Sequence, residues 1–106
     1  MNFGQYIARK RKEKQMSQTE LAMMIIMDGG RPISPQYLND IEHGRRNPSS
    51  DEILDQLAKI LEIDNDYLKY LTGRFPTDVL ELGLTQEKFV PLFETFRKAS
   101  KTDGDG

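Results

Sequence analysis

Helix-start signals recur at short intervals through the first seventy residues, and they constrain the fold of this chain more than any other feature. Ser17-Gln18-Thr19-Glu20 is a capping-box sequence: the serine hydroxyl accepts an orphan backbone N–H while the glutamate reaches back to the cap. Ser34-Pro35 is a second start, because serine caps and a proline at the first helical position lacks only an N–H that would have no partner. Ser49 or Ser50 precedes Asp51 and Glu52, two carboxylates where the helix dipole favours them, and Asp64-Asn65-Asp66 offers another cap.

Apolar periodicity fills the intervals. Phe3, Ile7 and the stem of Arg11 lie about a turn apart, which predicts a helix over residues 3–14. Leu21, Ala22 and Ile25 begin a second, whose apolar run continues through Ile26 and Met27 until Asp28-Gly29-Gly30 breaks it; Arg31-Pro32-Ile33 reads as a linker. Tyr37, Leu38 and Ile41 give the third helix a buried side, and Gly44 suits the left-handed residue at its end. Ile53, Leu57, Ala58, Ile60 and Leu61 form a broad stripe on the fourth, and Tyr67, Leu68 and Leu71 face inward on the fifth, which Thr72-Gly73 ends. Five short helices without a convincing strand make an all-α domain over residues 1–73.

Residues 74–100 read as a C-terminal helical extension. Thr77 to Leu82 is a short helical turn, and a last helix lies within Thr85 to Ala99, with Phe89, Leu92, Phe93 and Phe96 on one face. Pro91 means that this helix either begins near Val90 or carries a kink. Residues 101–106, polar and rich in Gly and Asp, are expected to be a disordered tail.

Composition narrows the function. Without cysteine there is no disulfide, thiolate nucleophile or cysteine zinc site. His43 is the one histidine, a surface residue at a helix end, so no metal site is expected. No nucleophile stands beside a base and no glycine loop cradles a phosphate; the carboxylates Asp51, Glu52 and Asp55 are explained as first-turn helix stabilisers, and an enzyme with a catalytic residue or cofactor is not expected. No apolar run nears the ~20 residues that span a bilayer, and a soluble, cytoplasmic protein without membrane contact is the expectation. The formal net charge of −2 conceals an asymmetry: residues 1–50 hold eight Lys/Arg against five Asp/Glu, and residues 51–106 hold seven against twelve. The basic surface lies in the first half, where a polyanion would meet it.

"MSQTELA" followed by "ISPQYLNDIEHGRRNPSSDEILDQLAKIL" resembles the Cro and lambda-repressor-like (XRE-type) helix-turn-helix DNA-binding domains, over about Phe3 to Leu71. The resemblance implies a five-helix domain that binds double-stranded DNA, with the third helix in the major groove. It makes Gln36 and Asn39 the first candidates for base contact, with Pro35 and Asp40 at neighbouring positions. Glutamine and asparagine amides can each donate to and accept from an adenine edge; Asp40, an anion, could instead accept from cytosine or orient Arg45. Gln18 matches a backbone-contacting position, and Arg45 and Arg46 resemble clamps on flanking phosphates, with Arg9, Arg31 and Tyr37 as further phosphate candidates. Arg11 and Glu42 match an internal ion pair tying helix one to helix three.

Two departures from that pattern stand out. The connection from Ile26 to Pro32 is several residues longer than the family's tight turn, so that it either lengthens helix two, turns Arg31 toward a phosphate or forms a surface loop; Lys10 replaces an apolar residue of helix one. Since proteins of this kind commonly bind as two-fold dimers, the apolar residues Phe75, Val79, Leu80, Phe89, Phe93 and Phe96 are expected at a homodimer interface, with closure over the domain's own core as the competing use. The expected function is a sequence-specific transcriptional regulator, a homodimeric repressor on a pseudo-palindromic operator. The alternatives are an antitoxin or adaptor whose C-terminal half binds a partner protein, and a restriction–modification controller.

Overall fold

A computed structural model describes the backbone of residues 1–48, 50–73 and 77–105, and their side chains apart from those of residues 77, 96, 97 and 99–105. Among these, seven helices follow in order: α1 (Phe3–Glu13), α2 (Gln18–Met24), α3 (Pro35–Glu42), α4 (Asp51–Leu61), α5 (Asn65–Leu71), α6 (Thr77–Leu80) and α7 (Gln86–Asp105). The architecture is all-α, five helices with a helical extension.

Each of α1 to α5 starts at a side-chain cap. Ser17 accepts from the backbone of Glu20 and Glu20 returns the bond, Ser34 caps Tyr37, Ser50 caps Ile53, and Asp64 caps Tyr67. Asn2 completes a further capping box with Gln5 that starts α1. These bonds satisfy N–H groups that have no partner within the helix.

The core gathers Ile7, Leu21, Ile25, Leu38, Ile41, Ile53, Leu54, Leu57, Leu61 and Leu68, all fully buried. Leu54, missing from the expected stripe of α4, is inside, while Ile60 is only partly covered; on α5 Tyr70 is buried and Leu71 partly covered. Gly4 lets α1 cross the end of α3 at close range. A Cβ there would lie 2.4 Å from the Ile41 carbonyl oxygen and 2.6 Å from that of Glu42.

The connection between α2 and α3 differs from the expectation. Helix α2 stops at Met24, and Ile25 is already extended, so Ile26 and Met27 do not prolong it. Residues 25–33 instead form a small antiparallel ribbon: Ile26 pairs with Pro32, Ile33 N–H donates to Ile25 O at 2.9 Å, and Met27 N–H donates to Arg31 O at 2.7 Å. Gly29 and Gly30 turn its tip with φ of 95° and 83°, values that glycine adopts readily. Ile33, read as linker, is buried in the core.

The extension lies on α5. Tyr67 Oη donates to Leu84 O at 3.0 Å, Tyr70 Oη accepts the Leu84 N–H at 3.1 Å, and Gln86 accepts the Asp64 N–H at 3.1 Å. Phe89 inserts beside Tyr67 and Tyr70, with ring centroids 5.4 and 5.0 Å away, and Phe93 stacks on Phe89 at 5.2 Å. Helix α7 starts at Gln86, earlier than Val90, and carries Pro91 within it; its trace continues to Asp105, through the segment expected to be a tail.

Candidate nucleic-acid interface

Helix α3 turns Leu38 and Ile41 into the core and leaves Gln36 exposed and Asn39 and Asp40 partly covered along its outer side. Pro35 is exposed at the N-terminal end of the same surface. The periodicity that buries positions 38 and 41 thus presents 36, 39 and 40 together.

A polar network holds that face from beneath. Arg11 and Glu42 meet side-on, Nε to Oε2 at 2.8 Å and Nη2 to Oε1 at 3.0 Å, with side chains only 10% and 3% exposed. The third donor of Arg11, Nη1, reaches the Met16 carbonyl at 2.8 Å. Gln18 Nε2 then donates to Glu42 Oε1 at 2.9 Å and to Asn39 Oδ1 at 3.1 Å. The buried charges are therefore paired and hydrogen-bonded, as burial requires. A single chain of contacts runs from helix one, through the start of α2, to the outer face of α3.

At the far end of α3, His43 caps with its Nδ1 2.8 Å from Asn39 O, and Gly44 takes the left-handed conformation, φ 75°. The chain there delivers Arg45 and Arg46, both exposed. Asp40 Oδ1 accepts from Gln36 Nε2 at 3.0 Å and lies 3.5 Å from Arg45 Nη1, so one carboxylate steadies both a candidate reading amide and a candidate clamp. The Arg46 guanidinium lies over the Tyr37 ring, 5.1 Å from its centroid. Asp40 is thus placed to orient Arg45, the second of its two expected uses.

The remaining phosphate candidates lie apart. Arg9 is exposed on α1, 3.3 Å from Glu13 and over the edge of the core at Tyr6; Lys10, expected to shrink the core, sets its ammonium 5.5 Å from the same ring. Burial raises the Tyr6 hydroxyl above its ordinary pKa, although Arg9 opposes the shift. Arg31 is exposed near the tip of the ribbon, beside Pro32 and close to the α3 cap. Near the tip of the ribbon, the Asp28 carboxyl raises that of Glu52 above the usual carboxylate range, by hydrogen bonding to its protonated form and by repelling its charge.

Of the expected interface residues, Phe89 is 3% exposed inside the molecule, and Val79, Leu80 and Phe93 pack partly against the core. Phe89 and Phe93 of α7 pack within the chain, the competing use named from the sequence; Leu92, expected on their face, is 60% exposed. Phe75 and the Phe96 side chain lie outside the described residues. Two contributors escaped sequence reasoning. Gly4 carries no local signal of its close approach, and Gln56, whose side chain grips the ribbon, lies thirty residues from its partner.

A helix-turn-helix family model matches residues 7–68, more than half of the chain. The chain belongs to the XRE-type helix-turn-helix family. Over 66 residues, 62% of its length, it is 41% identical to the ImmF control region 10 kDa protein of Bacillus phage phi105. The match spans 66% of that relative, just under two thirds of its length. The fold is also that of a solved SinR protein/SinI protein complex, with a TM-score of 0.54 at 23% identity over 98% of this chain and 99% of the other. Among the described residues no helix is long and apolar enough to cross a membrane, and no cluster of His, Cys, Asp and Glu is arranged to hold a metal ion.

Proposed function

We propose that this protein is a DNA-binding transcriptional regulator, a homodimeric repressor that occupies a pseudo-palindromic operator with one α3 helix in each half-site. The observation that carries the reading is the outer face of α3: Gln36 and Asn39 stand side by side on a helix about the right width for a ~12 Å major groove, and two arginines follow it directly. Gln36 and Asn39 read base edges, with Pro35 in van der Waals contact beside them and Asp40 orienting Gln36 and Arg45. Gln18, Arg45, Arg46 and Tyr37 hold phosphates around the groove, with Arg9 and Arg31 at its margins. Occlusion of a promoter needs only stable placement on DNA, and the phage relative is named for a control region. No step calls for catalysis or a cofactor.

A second reading concerns the extension. Leu82 and Leu92 are 66% and 60% exposed on it, an apolar surface that a second copy or a different protein would cover. The solved structure of similar fold is titled as a complex of two proteins, which supports a protein partner for this region as the alternative to self-association.

Selection of bound fragments from a random DNA pool tests the function, with sedimentation of the protein alone and on the selected duplex. A palindromic motif and two copies per duplex are expected. Absence of an enriched motif would remove the operator reading, and one copy on an asymmetric site would remove the dimer.

A further inference from the structure

The ribbon between α2 and α3 is gripped from outside by α4. Gln56 Oε1 accepts the Ile26 N–H at 2.7 Å and Gln56 Nε2 donates to Ile26 O at 2.8 Å, so one side-chain amide pairs with both backbone groups of a single residue, as a neighbouring strand would. The same Nε2 lies 3.3 Å from Glu52 O in the preceding turn of α4, which fixes the amide's direction. Ile26 in turn pairs with Pro32, and Ile25 with Ile33, immediately before the Ser34 cap of α3. Three short links therefore run from α4 to the first turn of the recognition helix.

We propose that Gln56 is a positioning residue for DNA recognition, setting the aim of α3 across a connection too long to set it alone. The proposal rests on the reading that α3 recognises bases. A tight turn leaves the second helix of this motif little freedom, whereas a nine-residue ribbon over residues 25–33 leaves more. Ile25 and Ile33 are buried and anchor the two legs of the ribbon in the core. They fix its depth but not its lean, because Ile26 is 41% exposed and Met27 to Pro32 lie outside. Two hydrogen bonds from the Gln56 amide tie the Ile26 backbone of this exposed part to α4, and nearer its tip the Asp28 carboxyl meets Glu52 of the same helix. An amide is required: alanine offers neither group, and an ionised glutamate accepts from Ile26 N–H but cannot donate to Ile26 O.

The test compares wild type, Gln56→Ala and Gln56→Glu for affinity to the duplex selected by wild type and to a scrambled duplex, with amide hydrogen exchange at Ile26 and Ile33 of the free proteins. In Gln56→Ala, Ile26 should exchange faster and the selected-to-scrambled affinity ratio should fall about five- to tenfold, with scrambled affinity unchanged. A role confined to stability would leave that ratio unmoved at temperatures where the variant is folded. Gln56→Glu should lie between the two and approach wild type at the same pH as the pH is lowered, since only its protonated carboxyl can donate. Faster exchange with an intact ratio would overturn the proposal, as would exchange at Ile26 that ignores the substitution. A wild-type protein without preference for any duplex would instead remove the DNA reading beneath it, and the aiming role with it.

Discussion

Helix α3 is held at its two ends in opposite ways. Its C-terminal half is fixed by burial: Arg11 donates two hydrogen bonds to Glu42 in the interior, and Gly4 brings α1 against the Ile41 and Glu42 carbonyls. Its N-terminal end is fixed at the surface, by a Ser34 cap and a ribbon whose outer links are backbone hydrogen bonds to Gln56. Buried charges that lose a partner cost several kcal/mol, whereas a neutral surface hydrogen bond contributes about 1 kcal/mol net. Damage at the first end should therefore reach the whole fold. Damage at the second should leave the fold and alter where α3 points.

The sharpest break in this contrast is Glu42→Ala. It leaves the Arg11 guanidinium buried without a carboxylate and Gln18 without one acceptor, and about 3–5 kcal/mol should be lost in denaturant unfolding. Replacing both charges, Arg11→Met with Glu42→Leu, should recover most of that loss, because the pair's own desolvation offsets much of its attraction. If the double variant is no better than the single one, burial of a lone charge is not the source of the loss.

Gly4→Ala acts at the same end by crowding. Its methyl group cannot occupy a site 2.4 Å from a backbone oxygen without moving α1 from α3, and about 1–3 kcal/mol of destabilisation is expected by thermal or denaturant melting. At the other end, Ser34→Ala removes the acceptor of the Tyr37 N–H, and about 1 kcal/mol should go. The two variants differ in kind if the account is right: binding to scrambled and selected DNA should fall together in Gly4→Ala only as far as unfolding accounts for it, and the selected duplex should suffer more in Ser34→Ala.

The smallest effect is a pH dependence beside the ribbon. Asp28 raises the Glu52 carboxyl above its ordinary range, so the folded chain takes up a proton there more readily than the unfolded one. The resulting stability is fully present below the ordinary carboxylate range and is lost as pH climbs through the raised pKa. Asp28→Asn should flatten the acid side of a melting-temperature profile slightly while leaving Ser34→Ala and Glu42→Ala losses unchanged.

What can be read from the chain follows the same division between local and distant contacts. The caps at Ser17, Ser34 and Asp64 involve residues three apart and declare themselves in sequence, as does the polar side of α3. The Arg11–Glu42 pair rests on a resemblance, since nothing local joins residues 31 positions apart. The end of α2 is not legible because Met23 to Met27 is apolar throughout and gives no period; pairing of Ile26 with Pro32 and the Gln56 amide wins over helix continuation. Phe89 shows the limit on the extension. An apolar helix face looks alike whether it covers Tyr67 and Tyr70 of its own chain or a second copy.

The central claim is that α3 reads bases while the arginines beyond it hold phosphates. It is tested most directly by titrating the selected duplex and a scrambled one with wild type, Gln36→Ala/Asn39→Ala and Arg45→Ala/Arg46→Ala over a range of salt concentrations. The amide variant should lose about tenfold or more on the selected duplex alone, with its salt slope unchanged. The arginine variant should weaken on both duplexes, its salt slope falling by ~0.9 for each phosphate that is no longer neutralised. An amide variant that loses equally on both duplexes, or on neither, would contradict the assignment of base reading to this helix.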